Sequence, residues 1–427
     1  MLHPEWSYQA VIYEMNVRQL TPEGTLRAAA AKLAFLKELG IDAVWLMPIC
    51  PIGVESRKGT LGSYYSIRDY CAVNPELGTL ADFDAFVAEA HRLGLKVLLD
   101  WVANHTSRDA RWLSERPASW YERDSSGAAV IPCDWSDTAK LNYAEPGVWE
   151  DQASAMEFWI REHGVDGFRC DMAMLVPIAF WNATARRLRA LKPDLFLLAE
   201  AEQPNLFEQG AFDACYAWEM HHLMNDVAAQ RVRVTSLRDY LYADQHRYPE
   251  WAMRLSFTTN HDENSWNGTE FARLGAARAV MTLFTFVVPQ GLPLLYTGQE
   301  IGYDHSFSFF DRDPIPAERY HENEHTQFLR RLTSLRHANA ALASGGRGGK
   351  LLEIRNNAED CLMILVREVP GNRVIAVMNL SPYRIHADYY TGIYAGMYTD
   401  AMTGCAYEFR GRVEEDMEPW SWRILTR

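Results

Sequence analysis

Val165-Asp166-Gly167-Phe168-Arg169-Cys170-Asp171-Met172 follows a helical run and reads as a short strand. Successive side chains on a strand point to opposite faces, so Arg169 and Asp171 share one face while Phe168 and Cys170 share the other. Two charges on one face of a central strand are costly unless they pair, and the arginine then keeps the carboxylate ionised. An ionised carboxylate at a strand's end is what a nucleophile needs. An isolated R-x-D reads more readily as a structural ion pair, so the rest of the chain decides between the two.

Working outward, the same strand character recurs. Ala10–Val17, Ile41–Met47 and Leu95–Trp101 precede it, and Leu195–Glu200, Phe212–Trp218, Arg254–Asn260 and Leu292–Thr297 follow. Helical spacing lies between them, as in Leu26–Leu39, Ala81–Leu93, Val148–His163, Pro177–Leu191, Phe271–Phe286 and Asn323–Ala338, with a short helix near Asn205–Gln209. Strands that are apolar throughout and alternate with helices are the pattern of parallel βα units. Eight such units predict an α/β fold, a closed (β/α)8 TIM barrel, over residues 1–104 and 147–343. The interruption, 105–146, is polar and carries a turn at Asp124-Ser125-Ser126-Gly127; it reads as a short inserted subdomain after the third strand. Ser344–Lys350 (SGGRGGK) nearly spells a phosphate-binding loop, but Ser344 and Leu351 break the pattern, and it reads as a linker. From 350 to 427 short alternating strands predict a C-terminal antiparallel β-sandwich.

Composition narrows the function classes. The 427 residues carry a net charge of −14, which disfavours nucleic acid and anionic membrane surfaces as partners and suits a neutral substrate. Seven cysteines, an odd number with no C-x-x-C pair, favour free thiols over a disulfide framework or zinc site. No apolar run is long enough to span a membrane, and Met1–Trp6 shows no secretory leader, so the expectation is a cytoplasmic protein; a chain whose leader had been removed, secreted or periplasmic, would look the same.

In a barrel, polar residues at the C-terminal ends of strands meet in one mouth. Here the third strand ends in Asp100, followed by Asn104 and His105; the fourth in Arg169 and Asp171; the fifth in Glu200; the seventh in Asn260, His261 and Asp262. A lone charge ending an apolar strand is expensive, and four strands that share the feature argue for a site.

At these residues the chain resembles the α-amylase family, glycoside hydrolase family 13. The resemblance rests on D-x-V-x-N-H (Asp100 to His105), G-F-R-x-D (Gly167 to Asp171), Glu200 and F-x-x-N-H-D (Phe257 to Asp262), supported by VIYEMNVRQLTPEGT, LKELGIDAVWLMPI, GSYYSIRDYCAVNPELGT and DTAKLNY. It implies a retaining hydrolase of α-1,4-glucosidic bonds in starch, glycogen or maltodextrins. Asp171 would be the nucleophile with Arg169 keeping it anionic. Glu200 would be the general acid/base, in an environment expected to raise its pKa. Asp262 would hold sugar hydroxyls and help distort the ring, His105 and His261 would bind hydroxyls, Tyr65 would stack on the sugar, and Asp100 and Arg169 would belong to the substrate-binding set. Such carboxylates lie roughly 5–5.5 Å apart in retaining enzymes. The same residues would serve a transglycosylase, an α-glucosidase or a trehalose-type isomerase, or a non-catalytic carbohydrate-binding protein built on the scaffold. Asn104 stands where the family places a calcium-linked asparagine, but the 105–146 excursion is short for a calcium-binding subdomain, and no cofactor is expected to be required. Met174 and Leu175 depart from the family's usual lysine or histidine beyond the nucleophile.

Other patterns carry less. His321-Glu322-Asn323-Glu324-His325 matches H-E-x-x-H, yet Asn323 and Glu324 read as the cap and first turn of a helix. His221-His222 is an adjacent pair that cannot face one metal well. The glycosylation patterns at Asn104, Asn182 and Asn267 are read as chance. Trp45, Trp101 and Trp159 read as core, whereas Trp135, Trp266, Phe309 and Phe310 lie in mouth loops, where sugar stacking and ordinary packing both remain open.

Overall fold

The computed structural model describes residues 3–427; Met1 and Leu2, the start of the leader reading, lie outside the described residues. Eight parallel strands close into a barrel: β1 (Ile12–Met15), β2 (Ala43–Leu46), β3 (Lys96–Val102), β4 (Gly167–Asp171), β5 (Phe196–Ala199), β6 (Ala214–Tyr216), β7 (Met253–Ser256) and β8 (Gly291–Tyr296). Each pairs with its chain neighbours, and β8 returns to β1 with Ile12 opposite Leu294. All eight predicted strands are present.

Strand alternation divides the core into two. One face of each strand points inward, where Trp45, Leu98, Phe196, Leu198, Tyr216, Leu255 and Phe257 fill the barrel. The other face, including Val44, Val97, Leu99, Phe168 and Cys170, packs under the surrounding helices. β4 therefore sends Phe168 and Cys170 outward and Arg169 and Asp171 inward. Gly167 opens β4 because a Cβ there would lie 2.1 Å from the Phe196 carbonyl oxygen, so only glycine lets β4 and β5 come this close.

The helices differ in detail from their spacing. The predicted Leu26–Leu39 helix is two pieces, Leu26–Ala30 and Leu33–Leu39, and Gly40 ends the second in the left-handed region. The predicted Phe271–Phe286 helix breaks at Gly275, whose φ is +51°, and runs as Glu270–Leu274 and Arg278–Val287. The last barrel helix begins at Glu324, with Asn323 as its cap in a reciprocal box with Thr326.

Beyond β3 the chain leaves the barrel. His105–Ser107 and Thr138–Lys140 form a two-stranded antiparallel ribbon, and Trp120, Tyr121, Ala139, Leu141 and Val148 make a small apolar cluster beneath it. At the C-terminus β9 (Leu352–Glu353), β10 (Leu362–Val369), β11 (Asn372–Asn379), β12 (Ile385–Tyr390), β13 (Gly396–Asp400), β14 (Ala406–Phe409), β15 (Arg412–Met417) and β16 (Trp422–Thr426) are antiparallel. Six of them form one sheet, while β12 and β15 pair separately. Ile364, Val377, Ala387, Tyr389 and Val413 from the two layers share one core, which makes a lopsided sandwich. Among the described residues no helix is long and apolar enough to cross a membrane.

Candidate active site

The register of β3 against β4 places Asp100 opposite Arg169 and Val102 opposite Asp171. These inward side chains, at the C-terminal end of the barrel, converge on a single guanidinium. Arg169 Nη1 donates to Asp100 Oδ1 at 2.9 Å and to Asp171 Oδ1 at 3.0 Å. Arg169 Nη2 lies 2.7 Å from Glu200 Oε2, an ion pair whose angle falls short of a hydrogen bond, and Nε donates to the Tyr216 hydroxyl at 3.2 Å. Glu200 Oε2 also accepts the Met172 N–H at 2.8 Å, and Met172 sits in the left-handed region with φ +41°. That turn aims the peptide after the proposed nucleophile at the neighbouring carboxylate.

A cavity of about 400 Å³ opens over this cluster, within the size range of small-molecule sites. Asp171, Glu200 and Asp262 line it, as do Tyr65, His105 and His261. Trp135, Trp266, Phe309 and Phe310, which the sequence left open between stacking and packing, also stand in its wall. Asp100 and Arg169 do not. Both side chains are fully buried. They act from behind the wall: Asp100 accepts from Arg169, from Trp45 Nε1 at 3.1 Å and from the Tyr65 hydroxyl at 3.1 Å.

A second chain of contacts enters from β1, and the sequence reading missed it. Glu14 is wholly buried, and its carboxylate accepts from His261 Nδ1. His261 Nε2 lies 2.8 Å from the Tyr65 hydroxyl and 3.3 Å from Asp262 Oδ2. The Tyr65 and His261 rings stack at 5.3 Å. Glu14 thus fixes the imidazole, the imidazole and Asp100 fix Tyr65, and the tyrosine face is presented to the cavity.

The electrostatics follow from burial and from sharing. Burial would lower His261, but Asp262 and Glu14 outweigh it and raise the imidazole to about 9, so it is a cation at neutral pH. Burial holds His105 down at about 4 and keeps it neutral. Burial pushes Asp171 up, Arg169 pulls it down, and Glu200 and Asp100 push it up again. Asp100 is raised to about 6, chiefly by burial against the pull of Arg169. Burial also raises Asp262, with His261 opposing. Arg169 is therefore not the private counter-ion of Asp171 that the pentapeptide implied. It is divided among three carboxylates.

Asn104 is buried beside His105. Its Nδ2 lies 3.2 Å from His105 Nδ1. The nearby carbonyls are engaged by protein: Val102 and His105 by the Tyr70 hydroxyl, Ala103 by the Tyr143 hydroxyl, and Asn104 by the Leu141 N–H. Among the described residues no group of three or more His, Cys, Asp or Glu side chains could hold a metal ion. The H-E-x-x-H run is not a ligand face either, since His325 is engaged by Arg278 Nη1 at 2.9 Å. His221 pairs with Glu263 at 3.1 Å.

The barrel's mouth thus holds two carboxylates bridged by arginine, a third carboxylate beside them and an aromatic wall. The chain belongs to the α-amylase family: the model described as "Alpha amylase, catalytic domain" matches residues 12–127 and 116–339. The alpha-amylase MalA of Haloarcula japonica is 30% identical over 390 residues, which cover 88% of this chain and 56% of that protein. The chain thus spans little more than half the length of that curated relative. The crystal structure of a noncanonic maltogenic alpha-amylase, AmyB of Thermotoga neapolitana, superposes with a TM-score of 0.88 at 28% identity, covering 99% of each chain. That of an alpha-amylase from Lactobacillus plantarum gives 0.85 at 30% identity, again over 99% of each chain.

Proposed function

We propose that this chain hydrolyses α-1,4-glucosidic bonds in starch, glycogen or maltodextrins with retention of configuration. The observation that carries the reading is the placement of Asp171 and Glu200 on two nitrogens of one guanidinium, at the floor of a cavity that also contains Asp262.

The geometry supports a double displacement. In the first step Asp171 attacks the anomeric carbon, the glycosidic bond breaks, and Glu200 donates its proton to the departing oxygen. In the second, Glu200 takes a proton from water, the water oxygen attacks the anomeric carbon, and Asp171 leaves. Arg169 is shared with Glu200, so a proton leaving Glu200 strengthens its hold on the carboxylate that results. Asp262 and His261 supply an acceptor and a cationic donor for sugar hydroxyls, and Tyr65 offers its face to the ring.

A second reading, transfer of the sugar to another hydroxyl, is favoured by the apolar surface past the nucleophile. Met172 lines the cavity, and Met174 and Leu175 stand 39% and 40% exposed where the family more often carries a polar residue. Such a surface receives a sugar face better than it orders water.

The test is turnover of maltoheptaose by Asp171→Asn and Glu200→Gln, with folding checked by circular dichroism. Loss of a positioned general acid should reduce kcat by about 10²–10⁴-fold in Glu200→Gln. Loss of the nucleophile should cost more. Near-parental cleavage by either folded variant would sink the assignment. The product anomer, read by NMR as it forms, should be α, and products longer than the substrate would point to transfer.

A further inference from the structure

One side chain of the cavity wall, Lys58, is left unused by the chemistry. In the barrel's circular order, β1-β8-β7-β6-β5-β4-β3-β2, the strand opposite β5 is β1, and β2 and β8 flank it. Glu200, at the end of β5, protonates the leaving oxygen and so marks the aglycone side. The loops after β2 and β8 therefore stand on the glycone side.

Those two loops are joined. Leu61 N–H donates to Phe310 O at 3.0 Å, and the Thr60 N–H and hydroxyl both donate to Asp311 Oδ1, at 2.7 and 2.6 Å. Gly59 lets them touch: its φ is +61°, and a Cβ there would stand 2.6 Å from Phe310 Cβ. The β2 loop is also fastened to the insertion, through Ser66 Oγ to Asp137 O at 2.9 Å and Ser107 N–H to Ile67 O at 2.8 Å. At its tip the Lys58 ammonium lies 3.4 Å from Asp137 Oδ1 and 5.8 Å from the centre of the Phe310 ring, and all three residues line the cavity. Asp137 is 2% exposed, and its second oxygen, Oδ2, is buried with no hydrogen-bond partner. Lys58 thus spans from the insertion to the β8 loop, on a loop held at both sides.

We propose that Lys58, fixed between Asp137 and Phe310, is an end wall that limits how many sugar units fit on the glycone side, so that the enzyme releases a short product of defined length. This rests on the hydrolase reading above. A loop fastened to both neighbours is a fixed wall and not a lid, so the limit is built into the resting protein. The substrate class follows: maltodextrins presented by a chain end, in preference to internal bonds of long polymers.

The experiment is time-resolved chromatography of maltoheptaose digests, labelled at the reducing end, with the parent, Lys58→Ala and Phe310→Ala. The parent should show one dominant short glycone product from the earliest times. Lys58→Ala should raise the share of longer glycone products by roughly tenfold, the discrimination a steric contact supplies. Phe310→Ala opens the same end from the other loop and should shift the ladder the same way. An unchanged ladder in both variants overturns the proposal. So does a uniform fall in kcat/KM with the ladder intact, which would make Lys58 a hydroxyl-binding group. A parent enzyme inert on every α-glucan would instead overturn the hydrolase reading itself.

Discussion

Two buried arginines in this barrel are built from the same parts and do different things. Arg169, on β4, is shared by Asp100, Asp171 and Glu200 and carries the Tyr216 hydroxyl on Nε. Arg254, on β7, pairs with Glu202 and with Asp244 at 3.1 Å, and its guanidinium lies 3.8 Å from the Tyr248 ring centre. Both are almost wholly buried and both hold carboxylates whose pKa values burial tends to raise. The difference is direction. Arg169 faces into the barrel under an open cavity, with two of its carboxylates lining that cavity. Arg254 sits one face over among Cys215, Tyr240 and Tyr248, none of which lines it. A buried arginine–carboxylate cluster is therefore no signature of catalysis; the open volume beside it is. The contrast also separates Glu200 from Glu202, two residues apart: the strand ends at Ala199, and the chain beyond it turns Glu202 to Arg254 while Glu200 stays with Arg169.

The largest effect expected from this contrast lies in that pair. Glu200→Gln should remove about 10²–10⁴ of kcat and leave thermal stability near that of the parent, because Arg169 keeps Asp100 and Asp171 and Asp171 loses a repelling neighbour. Glu202→Gln should do the reverse, with turnover kept and the melting temperature lowered, because it strips a carboxylate from Arg254. Measuring kcat on maltoheptaose and thermal unfolding for both variants breaks the comparison if Glu202→Gln is the inactive one.

The arginines themselves come next. Removing one partner of a buried ion pair typically costs about 3–5 kcal/mol, so Arg254→Met should lose that much stability and keep the pH dependence of kcat. Arg169→Met should lose stability too, but it also removes the cation that holds Asp171 down. The acid limb of the pH–rate profile should then move to higher pH, since Asp171 ionises later. Identical pH profiles for Arg169→Met and the parent would show that the guanidinium serves structure alone.

How much of this was readable in the sequence depends on the kind of constraint. The inward carboxylates Asp100, Asp171 and Glu200 were legible because a charge closing an apolar strand is a local anomaly. Glu14 is the same anomaly inside AVIYEMNV, and the rule that found Glu200 would have found it had β1 been read residue by residue. That Asp100 and Arg169 lie behind the cavity wall was not legible, because strand pattern tells which face a side chain takes but not its depth below the mouth. Lys58 and Asp137 had no signal, since their meeting depends on how two irregular loops are fastened together, and no period links residues so far apart. The helix breaks near Ala31 and at Gly275 were lost because apolar spacing continues across both.

The smallest expected effect concerns the other cation of the mouth, His261. Its burial works against the charged form, and Asp262 and Glu14 more than compensate, giving about 9 against an ordinary 6.5. A group raised in the folded state adds stability that is fully present below its unfolded pKa and is lost as pH rises through the folded value. For His261 the contribution is complete below about 6.5, fades from there through about 9, and at about 1.4 kcal/mol per pKa unit amounts to roughly 3 kcal/mol. Replacement by glutamine keeps a neutral hydrogen-bonding side chain and removes the titration. The gap in melting temperature between parent and His261→Gln should therefore be wide at pH 6 and close towards pH 10. Arg169 and Arg254 hold their charge over that whole range, so Arg254→Met should show a gap that does not change with pH. If the His261→Gln gap also stays constant, the imidazole is held neutral in the folded protein, and Asp171, Glu200 and Asp262 are offset by Arg169 without it.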